Sequence, residues 1–289
     1  MYSRYPQLLV WKAKDAVTDR IEYSRKQVVG LKFMRFLRND TVIQGITDGI
    51  GYVKEIRGDI AGNYELTGWQ IPLKDVQKYL VPVYPSKIVG LGLNYRSHAE
   101  ETGVQIPSEP LMFLKPPSAL AAHGEDIIYP GISSRVDYEA ELAIIIGKMA
   151  CNISAEEAGH VILGYSCFND LTARDLQKKD GQWTRAKSFD TFAPLGPWIE
   201  MDIDPSNLEI SMLQNDRVVQ DSLTSDLIFN VNHIVSCVSR VMTLNPGDVI
   251  ATGTPSGIGP VEHGDILTVR IQGIGELQNR VVRPGGVIS

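Results

Sequence analysis

Between residues 87 and 272 the chain is a series of short apolar and β-branched runs closed by Gly, Pro, Asn or Asp, and this spacing constrains the fold more than any other feature. Runs of that length between turn residues read as strands, here over 87–93, 112–115, 126–129, 136–146, 161–169, 198–200, 208–214, 248–253 and 266–272. Only two segments have helical character. One is expected to start at Ser154, where Ser154-x-x-Glu157 forms a capping box, and one covers 226–242 with apolar residues at helical spacing. The strand–helix rhythm of a doubly wound parallel sheet is missing, so the expected class is α+β, mainly β. No internal repeat or low-complexity segment interrupts it.

Upstream, strand signals at 33–37, 41–47 and 51–56, separated by Arg38-Asn39-Asp40 and Asp48-Gly49, outline a small β-rich domain. Val81-Pro82-Val83-Tyr84-Pro85-Ser86 reads as a linker, because its two prolines fix φ and favour an extended chain. The expected division is an N-terminal extension at 1–33, a small β-rich domain at 34–83 and a larger domain at 84–289. Residues 1–32 hold seven Lys/Arg against three Asp/Glu, a charge of +4, which leaves −10 for the rest of a chain of net −6. Asp15, Asp19 and Glu22 argue against a mitochondrial transit peptide, which is nearly free of acids. A family-specific extension, or an upstream start with Met34 as the original initiator, is the expected reading.

With 289 residues and 43% apolar content the chain can bury a full core. A net charge of −6 and a pI near 5.4 give no basic footprint for nucleic acid. No apolar run approaches the roughly 20 residues of a membrane span, and no apolar secretory segment opens the chain. Cys151, Cys167 and Cys237 are odd in number and widely spaced in apolar surroundings, which fits neither a disulfide framework nor a zinc site. The expectation is a cytoplasmic protein without nucleic-acid or membrane partners.

The candidate chemistry begins at Asp137-Tyr138-Glu139-Ala140-Glu141, which runs into Leu142-Ala143-Ile144-Ile145-Ile146. In a strand, residues i and i+2 share a face, so Glu139 and Glu141 stand side by side with Asp137 beside them. Adjacent carboxylates repel unless they are solvated or a cation lies between them, and a solvated strand face shows the same Glu-x-Glu. Asp170 ends the apolar run 161–169 and opens Asp170-Leu171-Thr172-Ala173-Arg174-Asp175-Leu176-Gln177. It reads as a third oxygen ligand or as a turn or cap residue, and Thr172-x-x-Asp175 as a further capping box. Three oxygen ligands without a His/Cys cluster suit Mg²⁺ or Mn²⁺ rather than zinc.

Asn94-Tyr95-Arg96-Ser97-His98-Ala99-Glu100-Glu101 follows the 87–93 strand. His98 and Glu101 fall on one helical turn, where a carboxylate can orient an imidazole for proton transfer; a surface His beside acids reads the same. His123, His160, His233 and His263 read as structural or surface residues. Lys187, in the aromatic and proline-rich stretch 183–197, reads as an ordinary surface lysine or, as the apolar context suits, a fixed cation facing a carboxylate or a developing oxyanion. Gly253-Thr254-Pro255-Ser256-Gly257 is either a turn or a loop whose amides approach an anion.

Taken together, Gly92-Leu93-Asn94-Tyr95 with His98 and Glu101, Asp137-Tyr138-Glu139-Ala140-Glu141-Leu142, Asn169-Asp170-Leu171-Thr172-Ala173-Arg174-Asp175, Ala186-Lys187-Ser188-Phe189-Asp190 and Gly253-Thr254-Pro255-Ser256-Gly257 resemble the fumarylacetoacetate hydrolase superfamily, in the same order over residues 87–282. The resemblance implies a mixed β-sandwich roll, usually dimeric, with a bacterial-type small N-terminal domain. It implies Glu139, Glu141 and Asp170 as ligands of Mg²⁺ or Mn²⁺, and His98 with Glu101 as a water-activating dyad on a lid. It further implies Lys187, Arg174, Gln177 and Thr254 as groups around the substrate, a small 2-oxo or 2,4-dioxo acid. In the implied reaction the cation stabilises the enolate formed as the C3–C4 bond breaks, while His98 activates water against the C4 carbonyl. The same residues serve isomerisation of 2-hydroxyhepta-2,4-diene-1,7-dioate-like acids or oxaloacetate decarboxylation. A non-catalytic metal-binding dimer module is the alternative from another class.

Overall fold

The computed structural model describes residues 30–283 apart from residue 104. The extension expected before residue 30 lies outside the described residues. The architecture is mainly β, as expected, and its largest element is a twelve-stranded sheet. Along its main path the strands run Tyr64–Pro72, Tyr52–Gly58, Thr41–Thr47, Lys32–Arg38, Ala193–Glu200, Ile162–Asn169, Ala140–Ile146, Val249–Ala251, Ile88–Gly92 and Leu111–Lys115. A five-stranded sheet, ordered Arg217–Leu223, Glu209–Gln214, Ile266–Ile271, Gly275–Val282 and Asp126–Ile128, packs on it. A three-stranded sheet joins Thr172–Ala173, Val136–Tyr138 and Gly259–Pro260.

The apolar run of Ala140–Ile146 is explained by burial on both faces. Leu142, Ile144 and Ile146 join one core cluster with Ile210, Met212, Leu267 and Val269, while Ala143 and Ile145 join another with Phe33, Phe168, Leu195 and Val249. Alternation is lost because neither face meets water. Hydrogen bonding also continues across the linker, since Lys32 and Phe33 pair with Glu200 and Ile199. The Lys32 ammonium reaches Glu200 at 2.6 Å, so the first strand is engaged upstream of Met34.

Two expectations about helices are corrected. The segment at Ser154 is not an α-helix: Glu157 Oε2 accepts from Ser154 N at 2.9 Å, but the chain makes only the 3-10 turn Ala158–His160. Gly159 lies inside it and the strand Ile162–Asn169 begins directly after, leaving no length for a helix. The second helix is Val231–Val241, later than expected, because Asn230 caps it by accepting from His233 N at 3.0 Å. Residues ahead of it are used elsewhere: Ile228 N donates to Asn94 O and Phe229 N to Asn94 Oδ1. The strands Tyr64–Pro72, Arg217–Leu223 and Gly275–Val282 add to those read from sequence.

Asp248 ties the end of the linker to the sheet. Its carboxylate accepts from Ser86 N and Oγ, Lys87 N, Asn245 N and the Lys87 ammonium, the last at 2.5 Å. Burial pushes this carboxyl up, but the bonds from Asn245, Lys87 and Ser86 outweigh it and hold it below the usual aspartate range. The stability it adds is therefore present above the unfolded pKa and is lost as pH falls through the lower folded value. Asp248→Asn is expected to cost about 2–3 kcal/mol at pH 7. Its melting temperature should also fall less between pH 6 and pH 3 than that of the parent; parallel curves would refute this role.

Candidate active site

The central sheet itself brings the acids together. Ala140 pairs with Asn169 in the antiparallel register of adjacent strands, so the start of one strand lies beside the end of the other. Asp170 N then donates to Glu139 O at 2.9 Å, and Glu139 N donates to Asn169 Oδ1 at 3.0 Å. One ligand oxygen each from Glu139, Glu141 and Asp170 falls within 4.8 Å of the others, and all three residues are buried. Asp137 does not join them, contrary to the strand-face expectation. The chain passes from the three-stranded sheet to the large sheet at Glu139, and Asp137 accepts instead from Arg135 (2.8 Å) and Arg174 (2.9 Å).

Cations and a backbone amide compensate the acids. Lys187 Nζ donates to Glu139 Oε2 (2.9 Å) and Asp170 Oδ2 (2.6 Å), and Arg174 Nη2 donates to Glu139 Oε1 at 2.5 Å. The backbone of Gly253 donates to Glu141 Oε2 at 2.8 Å, a close approach made at φ +96°, where a Cβ would lie 2.9 Å from that of Asn94. Lys115, which the sequence patterns do not single out, is 1% exposed and places Nζ 2.5 Å from Asp170 Oδ1. The only sequence signal for it is a lysine closing an apolar strand before Pro116 and Pro117.

The electrostatics separate the three carboxyls. Burial pushes Glu139 up, but Lys187 and Arg174 outweigh it and bring its pKa down to about 2. Glu141 is raised well above the carboxylate range by burial and then by Asp170 and Glu139. Burial lowers Lys115 despite Asp170, whereas Asp170 and Glu139 outweigh burial and raise Lys187. A buried, all-oxygen cluster in which one carboxyl is disfavoured by its neighbours is a donor set that fits a hard divalent cation.

Lys115 therefore balances charge at Asp170. Lys115→Met is expected to destabilise the protein by about 3 kcal/mol, because it leaves a buried carboxylate undercompensated. Added Mn²⁺ should raise the variant's melting temperature more than the parent's. Equal Mn²⁺ responses in thermal melts would show that Lys115 does not offset the cluster.

The Arg96–Thr102 helix carries His98 and Glu101. Ser97 N and Oγ donate to Asp226 Oδ2 at 3.0 and 2.6 Å, and Arg96 reaches Leu227 O at 2.9 Å, which fastens the first turn. Asn94 precedes it, with Nδ2 donating to Thr252 O at 2.8 Å. His98 is 9% exposed and its Nδ1 lies 3.2 Å from Glu101 Oε2. The Glu101 carboxylate also accepts from Gly257 N at 3.3 Å. The loop from Gly253 to Gly257 thus touches Glu141 at one end and the His98 partner at the other.

Of the remaining expected residues, Gln177 Oε1 accepts from Arg174 Nη1 at 2.8 Å. Thr254 is engaged by protein at both lone pair and proton: it donates to Ala140 O and accepts from Gln220 Nε2, each at 2.9 Å. Thr172-x-x-Asp175 is not a capping box. Thr172 Oγ1 donates to Glu139 Oε1 at 3.1 Å, and Asp175 accepts from Ser133 and Ser134.

The fumarylacetoacetate hydrolase C-terminal family matches residues 87–282, which contain every one of these groups. The chain belongs to the fumarylacetoacetate hydrolase superfamily. Among superfamily members of known structure, a 2-hydroxyhepta-2,4-diene-1,7-dioate isomerase from Mycobacterium marinum is 43% identical, with a TM-score of 0.83 over 89% of this chain and 100% of that one. A fumarylpyruvate hydrolase from Pseudomonas aeruginosa, solved with Mn²⁺ and pyruvate, is 36% identical, with a TM-score of 0.66 over 72% of this chain and 93% of that one. The mitochondrial oxaloacetate tautomerase Fahd2a of Rattus norvegicus is 38% identical over 74% of this chain and 72% of its own length. The superfamily therefore joins hydrolases, isomerases and tautomerases of small acids on one fold. Among the described residues, no helix is long and apolar enough to cross a membrane.

Proposed function

We propose that this protein is a metal-dependent hydrolase that cleaves a C–C bond beside a ketone, C3–C4 in a 2,4-dioxo acid of the acylpyruvate type or the matching methylene–carbonyl bond of a fumarylacetoacetate-like acid. The observation that carries the reading is the buried trio Glu139, Glu141 and Asp170 sharing a loop with the His98–Glu101 pair. A Mg²⁺ or Mn²⁺ ion held by the three carboxylates would supply Lewis-acid stabilisation for negative charge on the 2-oxo oxygen. The likeness to a hydrolase solved with Mn²⁺ and pyruvate supports this choice of ion and of head group.

His98 takes a proton from the attacking water, with its own proton on Nδ1 facing Glu101, the tautomer that a neighbouring carboxylate favours. Glu101 orients the ring and, through Gly257 N, sets the distance between helix and loop. Lys187 directs two of its three N–H groups to Glu139 and Asp170, and the third serves the oxyanion that forms at C4. Arg174, held by Gln177, and Thr254, held by Gln220, fix the walls against which the acid head binds. A homodimer in the cytoplasm completes the reading; its three cysteines are unpaired, as a reducing compartment requires.

The likeness to the Mycobacterium marinum isomerase and the rat tautomerase favours a second reading, in which the same residues move protons without adding water. The test is a panel of acylpyruvates, oxaloacetate and 2-hydroxy-dienoates assayed with Mg²⁺ and with Mn²⁺, with products separated by mass. Pyruvate plus a free acid establishes hydrolysis. A product of unchanged mass establishes isomerisation, pyruvate and CO₂ from oxaloacetate establish decarboxylation, and no conversion leaves a metal-binding module.

A further inference from the structure

We propose that Leu111, Phe113 and Trp183 line the subsite for the part of the substrate beyond its 2-oxo acid head, and that this part is apolar rather than a second carboxylate. The inference rests on the reading of the carboxylate trio as the seat of that head. Its starting point is the edge strand Leu111–Lys115, whose residues 111, 113 and 115 share one face. Along that face the surroundings change in steps. Lys115 is buried on Asp170, Phe113 is half-buried, and Leu111 is 43% exposed.

The aromatic step touches the site directly. Lys187 Nζ, which bridges Glu139 and Asp170, lies 4.9 Å from the centroid of the Phe113 ring. Phe113 meets Trp183 edge to face at 5.3 Å, and Lys187 N donates to Trp183 O at 3.0 Å. Both rings lie against glycines of the neighbouring strand Ile88–Gly92. A Cβ on Gly90 would come within 2.2 Å of Phe113, and one on Gly92 within 2.7 Å of Trp183 and 3.3 Å of Leu111. The rings are thus seated on bare backbone between the acids and the root of the helix that carries His98.

Charge decides the chemistry of the occupant. Lys115 is held by Asp170, Lys187 by Glu139 and Asp170, and Arg174 by Asp137 and Glu139. A second substrate carboxylate would compete with Asp170, Glu139 or Asp137 for these cations. An aliphatic or aryl tail faces no such competition and gains by covering half-exposed apolar surface.

The test uses Mn²⁺-loaded protein and acids that bind without cleavage of a C3–C4 dioxo bond: pyruvate, 2-oxobutanoate, 2-oxohexanoate, phenylpyruvate and 2-oxoglutarate, titrated calorimetrically. Each added methylene should tighten binding by about fourfold. 2-Oxohexanoate should then bind at least about tenfold more tightly than 2-oxoglutarate. Trp183→Ala and, separately, the milder Leu111→Asn should weaken 2-oxohexanoate by about tenfold and pyruvate by less than about twofold, with Mn²⁺ affinity unchanged. Trp183→Phe should recover most of the loss. The proposal is overturned if 2-oxoglutarate binds as tightly as 2-oxohexanoate, or if the variants weaken both acids equally. Failure of pyruvate itself to bind would instead remove the underlying reading, and the subsite with it.

Discussion

His98→Ala is expected to lower turnover of an acylpyruvate by about three orders of magnitude, the range for loss of a positioned general base. Mn²⁺ affinity should stay within about twofold, because in the proposed reading the carboxylate trio holds the ion and the imidazole lies outside that trio. The dissociation of the two effects is the informative part. A structural metal site has no use for a base on a separate helix, so an unchanged rate in His98→Ala would remove the hydrolytic mechanism. Glu101→Gln should act in the same direction but less, by about 10–100-fold, since it disturbs the orientation of the ring and the bond from Gly257 N without deleting the base. Both are read as kcat from pyruvate release alongside calorimetric Mn²⁺ titration.

Asp170→Asn should have the largest combined effect. Its carboxylate accepts from Lys115 and Lys187 in the interior, so neutralising it removes a charge from the proposed ligand set and leaves two buried ammonium groups undercompensated. Stability is expected to fall by about 3–5 kcal/mol. Mn²⁺ binding should weaken by at least about a hundredfold and turnover by about three to four decades, the loss of several kcal/mol of charge stabilisation. Adding Lys115→Met to Asp170→Asn should restore part of the melting temperature without restoring Mn²⁺ binding, because it relieves the charge imbalance and not the missing ligand. Recovery of both together would mean that Asp170 serves only the fold.

Much of the site is legible in the residue pattern. Glu139 and Glu141 stand out because charged residues at i and i+2 run straight into a strand buried on both faces, an arrangement that is costly without a cation. Asp170 stands out because it ends the neighbouring apolar strand. Alternation misplaces Asp137, since it presumes one continuous strand, and the chain changes sheets at Glu139. Lys115 escapes because a single lysine at a strand end carries no periodic signal; its role appears only when that edge strand is brought against the end of the Ile162–Asn169 strand. The capping motifs at Ser154 and Thr172 mislead for a related reason. Each is a local preference, and the hydroxyl of Thr172 is claimed by Glu139 and the main chain of Asp170 instead.

Residue order alone sets the kind of element at most positions, the turn chemistry between them and the types of donor available for a hard cation. These follow from side-chain alternation, backbone preference and ligand chemistry, all of which act over a few residues. Which acids share a centre and which cations offset them follows instead from long-range packing. The Ala140 to Asn169 pairing joins residues far apart in the chain, and the contacts of Lys115 and Lys187 with Asp170 depend on that register. Local periodicity says which face a residue occupies, but the partner across the sheet is chosen by the burial of the whole core.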